Sequence, residues 1–151
     1  MMVRHFDHVT IVVRDVDKAK AFFALLGFQE DHAMVISGEK LSTYMGINDM
    51  EADHVTLVLK DASPRLEVQL LKYHRPEALA DPAIGRLDRV GFNHICFAVD
   101  DLDAVVETLV DHGMTLLNDI MEFDGRRLVF VAGPERITVE LAERRRAHPA
   151  P

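Results

Sequence analysis

Four side chains of metal-ligand type stand at matched places in this chain: His8 with His94, and Gln69 with Glu140. Two imidazoles and a carboxylate form the 2-His-1-carboxylate pattern that suits Fe, Mn, Co, Ni or Zn, and an amide oxygen from Gln69 adds a neutral fourth donor. The four are far apart along the chain, so no local metal motif announces them. A repeat links them instead. Phe6-Asp7-His8-Val9 lies over Phe92-Asn93-His94-Ile95 at an offset of 86 (92 − 6), which also carries Val13 onto Val99, Asp15 onto Asp101 and Gly27 onto Gly113. A second match at an offset of 71 (140 − 69) places Leu57-Val58-Leu59 on Leu128-Val129-Phe130 and Val68-Gln69-Leu70 on Val139-Glu140-Leu141. The offsets differ by 15, so the first copy carries an insertion between its helix and its third strand.

Each copy reads as strand, helix, then three strands. Residues 6–13 and 92–99 alternate in polarity and favour β structure. Asp15 and Asp101 follow as helix N-caps, and Gly27 and Gly113 stand where left-handed helix ends are expected. Val16, Ala19, Phe22, Phe23 and Leu26 recur at helical spacing, as do Leu102, Val105, Leu109 and Val110. Strands are expected at 33–46, 54–60 and 65–72, and again at 115–120, 127–132 and 136–142. Asp61-Ala62-Ser63-Pro64 and Gly133-Pro134 are hairpin turns. The expected fold is α+β: two tandem βαβββ modules forming a cupped mixed β-sheet with helices on the outside. The chain is read as one domain, with module one at 5–73, a linker at 74–91 and module two at 92–143.

Strand parity separates two faces, because residues i and i+2 point the same way. One face reads Val9, Ile11, Val13; Ile95, Phe97, Val99; Leu66, Val68, Leu70; and Ile137, Val139, Leu141. All are apolar, so this face packs under the helices. The other face reads His8, Thr10, Val12; His94, Cys96, Ala98; Glu67, Gln69, Leu71; and Thr138, Glu140, Ala142. Small side chains around a few polar groups suggest a concave site. A pseudo-twofold relation would set His8 against His94 and Gln69 against Glu140. Glu67 is the rival ligand, and Gln69 is preferred because it alone aligns with Glu140.

Bulk properties exclude other classes. With 17 Lys+Arg against 25 Asp+Glu, the net charge of −8 leaves no footprint for nucleic acid. The one basic run, Arg144-Arg145-Arg146, is read as a solvated terminus. A single cysteine, Cys96, rules out an internal disulfide and is read as a buried, inert thiol. No signal-peptide core and no long apolar run occur, so no membrane partner and a cytoplasmic location are expected.

From FDHVTIVVRDVDKAKAFFALLGF to GPERITVELAE the chain resembles the vicinal oxygen chelate superfamily: glyoxalase I, methylmalonyl-CoA epimerase, extradiol dioxygenases, and fosfomycin- and bleomycin-resistance proteins. The resemblance implies paired βαβββ modules cupped around one divalent metal (Zn, Ni, Co, Mn or Fe), with ligand positions on His8, Gln69, His94 and Glu140. It also implies a small-molecule substrate and a homodimer. The ligand set is most similar to that of methylmalonyl-CoA epimerase, since bacterial-type glyoxalase I usually has Glu at the place of Gln69. The implied chemistry is that of an isomerase or lyase, moving a proton alpha to a metal-chelated carbonyl through an enolate, with Glu140 as acid/base. A second base would come from Glu51, Asp53 or His54. Two alternatives stand beside it. One is an Fe(II) extradiol dioxygenase, against which Phe130 stands where a Tyr is typical. The other is a metal-free drug-binding resistance protein.

Overall fold

The computed structural model describes residues 2–144. Beyond Arg144, the basic run and the tail lie outside the described residues. The chain divides into two compact units, Met1–Ala80 and Asp81–Pro151. The first contains β1 (His8–Val12), α1 (Val16–Leu25), β2 (Phe28–Ser37), α2 (Glu39–Met45), β3 (Glu51–Leu59) and β4 (Glu67–Arg75). The second contains β5 (Ile95–Ala98), α3 (Leu102–Asp111), β6 (Met121–Phe123), β7 (Arg126–Ala132) and β8 (Thr138–Arg144). The strands form two four-stranded mixed sheets, ordered β1-β4-β3-β2 and β5-β8-β7-β6. This is the tandem βαβββ architecture that the repeat predicts.

The local signals act as their chemistry requires. Asp15 accepts from the Lys18 backbone N–H and Asp101 from that of Ala104, each at 3.0 Å, satisfying an orphan donor of the first helical turn. In module one Ala19, Phe22 and Phe23 of α1 are buried together with Val68 and Leu70 of β4; in module two Leu102 and Leu109 of α3 are buried with Val139 and Leu141 of β8. The apolar sheet face is therefore the helix-packed one. Gln69 and Glu140, on the opposite face, remain part-exposed.

Two expected strands need correction. Residues 33–46 are not one strand: β2 ends at Ser37 and α2 follows. Gly38 and Gly46 bracket this helix, and Gly46 takes the left-handed cap at φ 68°. Leu41 and Met45 pack it against Met50, Ala52 and Leu71, so buried apolar contact outweighs the β-like reading. Residues 115–120 form no strand beyond a single bridge between Leu116 and Val131; the outer strand β6 starts at Met121. Asp124-Gly125, with φ of 51° and 71°, turns β6 into β7, a two-residue hairpin whose Asp-Gly signal is plain in the sequence.

Candidate metal centre

Each module carries its pair of candidate ligands in the same register. β1 runs parallel to β4 with His8 beside Glu67 and Thr10 beside Gln69. β5 runs parallel to β8 with Ile95 beside Val139 and Cys96 beside Glu140. His94 immediately precedes β5, and the same register carried one residue back would set it beside Thr138. The acceptor of each pair, Gln69 or Glu140, is thus two residues past the position beside its histidine, on the same sheet face.

The residue preceding each histidine fixes its ring. In module one, His8 Nδ1 lies 2.6 Å from Asp7 Oδ1. A carboxylate only accepts, so Nδ1 carries the hydrogen, and this bond holds the Asp7 carboxyl below its usual range. In module two, Asn93 donates its amide to the Leu87 carbonyl at 2.7 Å, which turns its oxygen toward His94 Nδ1, also at 2.7 Å. With Nδ1 donating in each, it is Nε2 that is left to serve as a ligand nitrogen. His94 Nε2 stands 3.8 Å from Glu140 Oε1, too far for a hydrogen bond. Histidines that donate one nitrogen and offer the other are set up as metal ligands. The donor set fits a divalent cation. Among the described residues, no three His, Cys, Asp or Glu side chains gather into a cluster that could hold a metal ion. Each module by itself supplies one pair.

Gln69 accepts from His54 Nε2 at 3.1 Å and donates to Glu67 at 3.0 Å. Glu67 is also gripped by Arg65 at 2.6 Å, which with Gln69 holds its carboxyl low, so this rival ligand is committed elsewhere. Of the three candidate second bases, Glu51 and Asp53 both bind His74, at 2.9 and 3.0 Å. Asp53 belongs to the parity of buried Val55 and Leu57, the helix-packed side of β3. His54 alone shares a face with Gln69.

Opposite Gln69 in β3 stands Thr56, and opposite Glu140 in β7 stands Phe130. The structural offset between β3 and β7 is therefore 74 (130 − 56), while that between β4 and β8 stays at 71. The apparent match of Leu57-Val58-Leu59 with Leu128-Val129-Phe130 is a coincidence of β-rich composition, because the second hairpin is three residues shorter. Phe130 lies edge-on to His94, ring centres 5.2 Å apart, and offers no hydroxyl beside Glu140. Cys96 is exposed rather than buried; partial desolvation and then Glu140 push its thiol up to about 11, so it stays protonated. Sequence reasoning missed Asp7 and Asn93, although both precede their histidines at the repeat's own offset.

Residues 7–130 match the Glyoxalase/Bleomycin resistance protein/Dioxygenase superfamily. The chain belongs to this superfamily. Among solved structures, a glyoxalase family protein from Bacillus cereus is 26% identical, with a TM-score of 0.85 and 95% of each chain covered. The genomically encoded fosfomycin resistance protein FosX from Listeria monocytogenes shares the fold at 16% identity, with a TM-score of 0.61 over 94% of each chain. So does TnmS3, an antibiotic binding protein from a Streptomyces species, at 17% identity and a TM-score of 0.62, covering 96% of this chain and 99% of that one. A comparison with curated proteins finds no significant match. Superfamily membership thus includes both enzymes and binding proteins, and the site chemistry must separate them. No helix among the described residues is long and apolar enough to cross a membrane.

Proposed function

We propose that the chain is a divalent-metal-dependent isomerase or lyase of glyoxalase/epimerase type, with His8, Gln69, His94 and Glu140 as the metal ligands. The observation that carries this reading is the twofold recurrence of one device. In both modules a residue before the histidine takes its Nδ1–H, leaving Nε2 free, with an oxygen donor at the same register step on the neighbouring strand. A divalent cation in such a donor set polarises neighbouring oxygens of a bound substrate and acidifies the C–H beside its carbonyl.

The chain's own residues do the rest. Glu140, part-buried beside His94 Nε2, takes the proton at a carboxylate oxygen and returns it. Gln69 binds without adding negative charge, so the substrate oxygens face a more electrophilic site than a second carboxylate would leave. Phe130 fills the position opposite Glu140 with a ring that cannot donate a proton, which argues against ring-cleaving chemistry. The substrate class is a small α-oxoacid, thioester or hemithioacetal, and the superfamily resemblance supports a homodimer.

The test is elemental analysis of the purified protein, followed by solvent-deuterium incorporation at the α-carbon across a panel of those substrates. Bound metal with incorporation supports the proposal. Oxygen uptake with catechols would move the protein to the dioxygenases. Tight binding of a drug by metal-free protein, without turnover, would make it a sequestering protein.

A further inference from the structure

We infer that His54 is a positioning residue that turns the Gln69 amide so that its oxygen, not its nitrogen, is presented as a ligand. The inference rests on the metal reading above and assigns a role that the reading leaves open. An amide has two ends of nearly equal shape, and only the oxygen can bind a cation. A chain of hydrogen bonds decides which end serves. Arg65 donates to Asp31 at 2.8 Å and to Glu67 at 2.6 Å, keeping Glu67 an ionised carboxylate. A carboxylate only accepts, so the Gln69 atom 3.0 Å from it is the amide nitrogen. The amide oxygen then faces His54 Nε2 at 3.1 Å, and that nitrogen must carry the ring's hydrogen. His54 Nδ1 is left as the bare acceptor, buried and without a hydrogen-bond partner among the described residues. Burying an unpaired acceptor is unfavourable, so the Nε2–H tautomer is held by its bond to Gln69. Flipping the amide would oppose its oxygen to the Glu67 carboxylate, losing that bond, and would force His54 into the other tautomer with its Nδ1–H buried and unpaired.

The second module supplies the control. By the structural offset of 74, the place of His54 is taken there by Leu128, which stands opposite Ala142 as His54 stands opposite Leu71. Its ligand is Glu140, whose two oxygens are equivalent, so no orienting group is needed. At this strand position an imidazole stands beside the ligand that has a wrong end and a leucine beside the one that has none.

Two measurements test this. In the metal-free protein, long-range proton–nitrogen correlation should show His54 as the neutral Nε2–H tautomer; the Nδ1–H tautomer would overturn the proposal. Binding of Co2+, followed by its visible absorption, should weaken 10–100-fold in His54→Leu, the range for loss of an outer-shell partner. His54→Gln, which keeps an N–H donor, should recover most of that loss. In a Gln69→Glu background, where either oxygen serves, His54→Leu should change Co2+ affinity less than twofold. Unchanged affinity in His54→Leu, or equal losses in both backgrounds, would overturn the positioning role. Unchanged Co2+ affinity in Gln69→Ala would instead overturn the four-ligand reading on which it rests.

Discussion

Asp7 and Asn93 differ in charge yet do the same work, accepting the Nδ1–H of the histidine that follows. What the site needs from them is a fixed tautomer, and either oxygen provides it. Replacing His8, His94 or Glu140 by Ala should strip bound metal while leaving the thermal transition within a few degrees, since all three avoid the core face; metal retained in all three variants would refute the ligand set. Gln69→Ala should lose most of the metal and Glu67→Ala far less, because Glu67, held by Arg65, acts on the ion only through the Gln69 amide it accepts from. A separate residue-scale effect arises at His74, set in the bulge where β3 and β4 shift register and clasped by Glu51 and Asp53, with Arg75 and Asp49 alongside. The Glu51 hydrogen bond, then that from Asp53, raises the His74 pKa, while His74 and Arg75 lower that of Glu51. A raised histidine stabilises fully below its ordinary value of about 6.5 and loses that contribution as pH climbs through the raised value. The lowered Glu51 contributes fully above about 4.3 and loses it as pH falls through its lowered value. Both are complete between those limits. The melting-temperature difference between the native protein and His74→Ala should therefore be largest near pH 5–6 and shrink above neutrality; a difference that stays flat from pH 5 to 9 would show that the clasp does not operate.

At the scale of elements, α1 and α3 hang on side-chain caps and apolar faces. Removing a cap, as in Asp101→Ala, should cost about 1 kcal/mol in a denaturant titration, because the Ala104 N–H loses its partner. Truncating Leu141, fully buried under α3, should cost about 2–5 kcal/mol. A smaller loss for Leu141→Ala than for Asp101→Ala would contradict the face assignment. These elements were legible because each leaves a periodic mark: the Asp caps, the glycine ends and the alternation of β1, β4, β5 and β8. The helix α2 was not, since Ser37-Gly38-Glu39 to Gly46 is too short to show a full apolar period, and its stability comes from contacts with Met50, Ala52 and Leu71 that lie outside its own sequence. His54 escaped a firm role for a similar reason. Parity places it on the ligand face, but its bond to Gln69 depends on the register of β3 against β4, and the hairpin between them is three residues longer than its counterpart. Periodicity reads faces well and registers poorly.

For the whole molecule, the division of labour between modules makes a stoichiometric prediction. Each module contributes one imidazole and one oxygen donor, and a two-ligand site leaves most of a cation's coordination to water. On the proposed four-ligand reading, one ion would take all four donors and keep positions for substrate. The native protein should then bind one Zn2+ or Co2+ per chain by elemental analysis after dialysis. His8→Ala, which damages only module one, and His94→Ala, which damages only module two, should each remove the whole of that metal. If instead the two modules bind independently, the native protein should carry two ions per chain and each variant should lose half. Half-loss in either variant would dismantle the single centre, and with it the proposal that Gln69 and Glu140 act on the same substrate.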